Sequence, residues 1–319
     1  MRTTREQRKR QYRVIYELVF ETPRIYNKDM QKLLELNDRT VARRLREAFG
    51  KQHIVGPDIR KRSHSNTKEY TYFLNCKNPE LAYLEYQKNE KITYHAQIRG
   101  FSNFWIIAKE KIDVEGDIIL EGPRSDYYTS YAPDHSWEKA LEIMRNKIKN
   151  FRPRDYTPKK YIQTHFNESV EWDEEDELVY RYFKYNLRKP FAPMMRKHAI
   201  SGGKLYKFLE KLPETCTIAT SYYPDTLLAY DHYLYMFETD YEDFIIDLFS
   251  ELPTSSSFFK VDDKLFARTY VHRRYIKDRK LQMAVKKWYI PLLVIELLER
   301  GIIKSKGSAL LEYHWKKDL

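Results

Sequence analysis

The chain is poor in the residues that build covalent or metal-held scaffolds. Of its 319 residues only Cys76 and Cys216 are cysteine, far apart and without metal-ligand spacing, so no disulfide framework and no zinc site is read. Glycine occurs nine times against 27 tyrosines, a balance that suits β-sheets with tyrosines on faces and edges more than a loop-rich enzyme. No Walker loop, no G-x-S-x-G and no H-E-x-x-H is present. A lone histidine such as His95 in a strand reads as a hydrogen-bonded sheet residue. The chain is therefore expected not to be an enzyme, with no catalytic residue, no cofactor and no metal to name. No apolar run is long enough to span a bilayer, and Met1-Arg-Thr-Thr-Arg-Glu lacks the apolar core of a signal peptide, so the expected compartment is the cytoplasm, with no membrane partner.

What is present is positive charge, unevenly placed. The net charge is +11, and residues 1–75 hold eighteen Lys plus Arg against nine Asp plus Glu, so 18 − 9 = +9 of it sits in the first quarter. That quarter also has a pattern. Met30, Leu33 and Leu34 are spaced for one face of a short helix, and Val41, Leu45 and Ala48 repeat the spacing in a second helix opened by a capping Asn37 or Asp38. Arg39, Thr40, Arg43, Arg44 and Arg46 are then left on or beside the outer face. The following Ile54-Val55-Gly56-Pro57, the basic Arg60-Lys61-Arg62, and Tyr70-Thr71-Tyr72-Phe73 read as a strand, a tip and a returning strand, with Lys68 alongside. This is a winged helix-turn-helix, and its stacked basic features point to double-stranded DNA, read in the major groove by the second helix.

Ahead of this stretch, Arg5 to Glu21 is the first helix, with Val14, Ile15, Leu18 and Val19 as its buried stripe, stopped by Pro23. Asn78-Pro79 opens a helix to about Tyr86, and Ile92–Arg99 and Phe104–Lys109 flank a turn at Gly100–Asn103. A hairpin follows, Asp117–Glu121 and Asp126–Tyr131 around Gly122-Pro123, and then a helix from about His135 to Asn150. Pro153 and Pro158 mark 151–164 as a linker. Beyond it the pattern recurs: Val14-Ile-Tyr-Glu-Leu-Val matches Leu178-Val-Tyr-Arg-Tyr-Phe, and Arg39–Leu45 matches Gly203–Leu209, both at an offset of 164 (178 − 14, 203 − 39). In this second unit Gly202 and Gly203 weaken the helix that corresponds to the recognition helix, and Lys204, Lys207 and Lys211 point outward without the planar fork that reads guanine. Leu281, Val285, Trp288, Leu292, Ile295 and Leu298 form one stripe of a last helix. Ile302 to Trp315 can form a final hairpin.

A winged helix followed by a ferredoxin-like β-α-β-β-α-β module resembles the Lrp/AsnC (feast/famine) transcription regulators. The residues that carry the resemblance are Asp38–Leu45, Ile54-Val-Gly-Pro57 and Gly100–Ile107. The resemblance implies dimers paired through the sheet domains and a small-molecule effector, an amino acid in many members, held where those domains meet. Two such units in one chain resemble a family dimer fused into one polypeptide. Siroheme decarboxylases share that architecture, sometimes as tandem fusions, and need a tetrapyrrole pocket on which His and Arg converge; His272-Arg273-Arg274-Tyr275 is the cluster of that type. A plasmid replication initiator with two winged helices is a third reading.

The expected architecture is thus α+β, a winged helix-turn-helix plus a ferredoxin-like sheet domain, duplicated. Its parts are a DNA-binding winged helix at 1–75, a sensor and dimerisation domain at 76–150, a linker at 151–172, a degenerate second winged helix at 173–228 and a second α/β domain at 229–319. The expected function is that of a homodimeric transcriptional regulator whose DNA contacts are Asn37, Arg39, Thr40, Arg43, Arg44, Arg46, Arg60, Lys61, Arg62 and Lys68. A siroheme decarboxylase-like enzyme and a replication initiator are the alternatives.

Overall fold

The computed structural model describes residues 4–273 and 289–316. Three helices lead: α1 (Arg5–Glu21), whose capping box joins Thr4 and Gln7, α2 (Asn27–Leu34), and α3 (Asp38–Gly50), capped by Asn37. Ile15, Tyr16, Val19, Met30, Val41 and Ala48 are fully buried where they meet. The order of elements that follows is β1 (Ile54–Lys61), β2 (Tyr70–Asn75), α4 (Pro79–Tyr86), β3 (Ile92–Gly100), β4 (Phe104–Ala108), β5 (Asp117–Pro123), β6 (Tyr128–Thr129) and α5 (Trp137–Asn150). Helices then return as α6 (Glu174–Phe183), α7 (Ala192–His198) and α8 (Gly202–Thr215). They precede β7 (Cys216–Tyr222), β8 (Tyr230–Glu238), α9 (Glu242–Phe249), β9 (Ser257–Val261), β10 (Lys264–His272), α10 (Tyr289–Glu299) and β11 (Ser305–Lys316). The chain is mixed α+β with antiparallel strands.

Strand pairing departs from the sequence reading at its most consequential point. β1 does not return on β2: it pairs antiparallel with β7, Ile59 opposite Ile218 and Lys61 opposite Cys216, while β2 lies between β4 and β5. The expected wing hairpin is replaced by a ribbon joining residues far apart in the chain. Gly56 makes the ribbon feasible, since β1 bulges there with φ 95° and an added Cβ would lie 2.5 Å from the Ala219 carbonyl oxygen.

The other strands form one sheet in the order β5-β2-β4-β3-β11-β8-β10-β9-β6. In a flat sheet β2 and β10, five strands apart, would be separated by about 24 Å. Yet Phe73 of β2 stacks on Phe266 of β10 at 4.6 Å, and Trp105 of β4 stacks on Phe259 of β9 at 5.7 Å. The sheet curls until its ends meet: Arg124, just past β5, bridges to Val261 of β9, and Ser125 N–H donates to the Lys260 carbonyl at 3.0 Å. The result is a barrel whose inner wall carries Phe73, Ala96, Ile98, Trp105, Leu234, Phe259, Phe266 and Ala309. α5, α9 and α10 pack on its outside around Phe237, Phe249, Phe258 and Leu265.

Further expectations give way. Asp117–Glu121 and Asp126–Tyr131 do not pair with each other, because β5 is taken by β2 and β6 by β9. The final hairpin is one strand, β11, held between β3 and β8. In α10 the buried positions are Ile290, Leu293, Val294 and Leu297, whereas Leu292, Ile295 and Leu298 are exposed; apolar residues surround this helix, so their spacing alone does not set its phase. Leu281, Val285 and Trp288 lie outside the described residues. Lys204 and Lys211 point inward onto Asp176, Lys204 at 3.0 Å, because Asp176 is fully buried at the start of α6 and needs cations. His95 is fully buried and packs as an aromatic ring against Tyr83, Phe104 and Trp315, with neither nitrogen hydrogen-bonded among the described residues; burial pushes it down to about 4. No described helix is long and apolar enough to cross a membrane.

Two glycines test the ribbon. Gly56→Ala is expected to cost more than about 1 kcal/mol, since Ala is strained at positive φ and meets backbone. Gly50→Ala, at an open helix end with nothing within 4 Å, is expected to be neutral or to stabilise by up to about 1 kcal/mol. Urea denaturation of both variants compares them, and equal midpoints would refute the ribbon.

Candidate functional site: a cationic aromatic chamber at the mouth of the barrel

Alternation along the strands decides what the barrel encloses. On β10, Phe266, Arg268 and Tyr270 share one face, and on β8 His232, Leu234 and Met236 do. The Arg268 Nε–H donates to His232 Nε2 at 3.0 Å, and Nη2 to the Tyr270 hydroxyl at 3.4 Å. The His232 ring stacks on Tyr270 at 4.4 Å, and Tyr223 meets Tyr270 edge-on at 4.7 Å. The Arg268 guanidinium also stands 6.0 Å from the Trp105 ring, against which Tyr94 packs at 5.0 Å. One end of the barrel is therefore apolar, around Phe101, Met236 and Phe266, and the other is aromatic and cationic.

The β1–β7 ribbon and the end of α6 roof that cationic end. Asp58 and Arg60 of β1 form an ion pair at 3.4 Å, and Arg60 stands 5.1 Å from the Tyr185 ring. Lys184 lies 5.3 Å from the same ring, and Lys316 of β11 lies 3.9 Å from it. Asp58 and Arg60 keep 21% and 25% of their side-chain surface accessible although protein surrounds them. They line a hollow rather than filling one. Its cations Arg60, Lys184, Arg268 and Lys316 face the single carboxylate Asp58 among the groups just named. Glu69 is already claimed by Arg124 at 2.8 Å.

Titration follows from this setting. Burial, then Arg268 and His314, holds His232 well below the usual imidazole value, so it is neutral. Its Nε2 accepts from Arg268, which places its proton on Nδ1. Burial, with Arg60 and Lys61 nearby, lowers the Lys184 ammonium to about 8 against the pull of Glu69. Burial raises the Tyr94 phenol. Tyr94 Oη, Trp105 Nε1 and Tyr180 Oη are buried without hydrogen-bond partners among the described residues. Together these groups suit a large planar ligand bearing several carboxylates, with rings for its faces and cations for its edges.

The residues expected to touch DNA are dispersed. Arg39, Arg43 and Arg46 are exposed on α3 and Thr40 is half-buried, while Asn37 is occupied in accepting from the Thr40 N–H at 2.9 Å. Arg44 is not on the outer face: it is buried, donating to Gln11 at 2.5 Å and to Glu47 at 2.7 Å. The wing tip does not exist as a tip. Arg60 roofs the chamber, Lys61 pairs with Glu177, and Arg62 pairs with Asp126 at 2.7 Å. Lys68 is half-buried over the Tyr70 ring at 5.8 Å. Of the expected His272–Tyr275 cluster, His272 is buried, Arg273 pairs with Asp231 at 2.7 Å, and Arg274 and Tyr275 lie outside the described residues. Arg268 and His232 were not anticipated. Their signal was the alternation Phe266-x-Arg268-x-Tyr270, one arginine on the aromatic face of a strand.

No protein-family model matches the chain, and no curated protein does. Among solved structures it is similar to the siroheme decarboxylase NirDL, with a TM-score of 0.48 and 9% identity over 97% of this chain and 93% of that one. It is also similar to NirDL in co-complex with an iron-uroporphyrin III analogue, with a TM-score of 0.43 and 10% identity over 92% and 87%. Both are structures of an enzyme, which runs against the expectation that this chain is not one. At such scores the likeness says nothing about residues.

A neutral, half-buried His232 has a consequence for stability. Its folded value lies below the unfolded 6.5, so as pH falls below 6.5 the unfolded chain takes up a proton that the folded chain refuses, and stability declines. His232→Gln is expected to lessen this acid-side decline, measured as the difference in urea midpoint between pH 7 and pH 5. An unchanged difference would place His232 in a solvated setting.

Proposed function

We propose that the chain is an enzyme of siroheme decarboxylase type, which binds an iron tetrapyrrole bearing several carboxylates in the chamber and removes carbon dioxide from a carboxymethyl arm. The observation that carries this reading is the Arg268–His232 pair at 3.0 Å in the mouth of an aromatic-lined barrel, beneath a roof that adds Arg60 and Lys184. This is the convergence of His and Arg that such a substrate needs. Guanidinium groups hold carboxylates in the fixed geometry of their fork, so Arg60 and Arg268 bind and orient. Tyr94, Tyr127 and Tyr185 are half-buried beside these cations, and next to such rings a carboxylate is poorly solvated and loses its charge readily as carbon dioxide leaves. Loss of carbon dioxide leaves an electron pair on the arm's carbon, and a proton from a chamber acid such as Tyr94 or Tyr270 converts it to methyl.

Two features support reading the chain as a fused pair of Lrp-like units. The succession of three helices, two strands, a helix and two strands runs from α1 to β4 and again from α6 to β10. One barrel holds the sheet strands of both halves, as a fused pair would. In this reading the two former wings became the ribbon over the chamber, and the domain boundaries at 75, 150, 172 and 228 separate parts of one enclosed site rather than independent modules.

An absorbance titration with siroheme, or with an iron uroporphyrin, tests the proposal. Saturable binding is expected, weakened at least about tenfold by Arg268→Ala, the loss of roughly one charge-assisted hydrogen bond, and unchanged by Arg43→Ala with Arg46→Ala. Absence of binding, or loss on changing α3 alone, would overturn it.

A further inference from the structure

Away from the chamber, the loop between β1 and β2 meets the turn at 165–168 in a cluster that the proposed function does not use. His64 and His165 lie ring against ring at 4.7 Å. With Glu168 they form a group in which one donor atom from each lies within 4.8 Å of the other two.

The hydrogen bonds around these rings leave lone pairs turned toward one another. The His64 Nε2–H donates to the Glu214 carbonyl at 3.0 Å, which leaves the lone pair on Nδ1. That atom is buried without a hydrogen-bond partner among the described residues, in a side chain only 6% exposed. His165 sits between two carboxylates, with Nδ1 at 2.9 Å from Glu168 Oε2 and Nε2 at 3.4 Å from Asp126 Oδ2. With Nδ1 and Glu168 on one cation, Nε2 faces Asp126, a carboxylate that orients the ring, the arrangement of metal-bound histidines generally. The loops that carry the donors are tied: Ser65 N–H donates to the Glu168 carbonyl at 2.7 Å, Glu168 N–H to the His165 carbonyl at 2.9 Å, and His165 N–H to Ser63 Oγ at 3.0 Å. A proton on His165 would satisfy that ring against Asp126 and leave His64 Nδ1 unmatched. A divalent cation satisfies both.

We propose that His64, His165 and Glu168 bind zinc, which clamps the 165–168 turn to the loop leaving β1. Two imidazoles and a carboxylate suit Zn²⁺ among the divalent ions, with bonds of about 2.1 Å and a fourth position open to water. Bonds of that length need donor atoms about 3.4 Å apart. The donor atoms, which lie within 4.8 Å of one another, close to that spacing around the ion.

Tag-free protein, stripped with a chelator and titrated with Zn²⁺ by calorimetry, decides the matter. One equivalent is expected to bind, the melting temperature to rise with Zn²⁺, and both effects to be lost in His165→Gln. His64→Gln is expected to weaken binding at least about tenfold, with the fold of both variants checked by circular dichroism. His165 is half-buried, more open than His64, so its variant keeps the test valid if the His64 variant unfolds. Absence of binding by the wild-type chain, or an equivalent bound with unaltered affinity by His165→Gln, would overturn the site.

Discussion

Everything in this molecule depends on where β1 finds its partner. Had Ile54–Lys61 folded back on Tyr70–Asn75, the arginines of residues 60–62 would have stood at an exposed tip. Instead β1 pairs with β7, one strand from each helical cluster, and the ribbon lies across the open end of the barrel. Main-chain bonds of an antiparallel pair are individually modest, but this one also fixes Gly56 in a conformation other residues resist and places Asp58 and Arg60 over the hollow.

The positive charge of the first quarter takes a different meaning from that placement. Arg44 ties α3 to α1 through Gln11, Lys61 and Arg62 secure the ribbon to Glu177 and Asp126, and Arg60 faces the chamber. Charge counted along a sequence carries a direction only once the backbone is placed, and here much of it points inward. A buried cation needs a counter-charge or a ligand. In the chamber Arg60, Lys316, Arg268 and Lys184 all act on the one carboxylate Asp58, with Glu69 also reaching Lys184, a surplus that an anionic ligand would balance.

Much of the local structure was legible in the residues. α1 begins and ends at Arg5 and Glu21 as its stripe and Pro23 require, Asn37 caps α3, and Asn78-Pro79 opens α4. The partners of the strands were not legible, because alternation marks a strand's faces without naming its neighbour. The closing of the sheet rests on contacts such as Phe73 on Phe266, separated by most of the chain. For the same reason the chamber escaped notice. His232 and Arg268 are ordinary strand residues in sequence, and only the register that sets Arg268 opposite Leu234 brings guanidinium and imidazole together. The Lys204 and Lys211 side chains turned inward for a cause equally invisible in spacing, the buried Asp176.

The central claim is that the barrel mouth is a reaction chamber for a carboxylated tetrapyrrole. Mass spectrometry of siroheme after anaerobic incubation with the purified chain tests it most directly. The account predicts a product lighter by one or more molecules of carbon dioxide, absent when Arg268→Ala is used. Siroheme recovered intact and unbound, together with tight sequence-specific retention of duplex DNA by the same preparation, would contradict it.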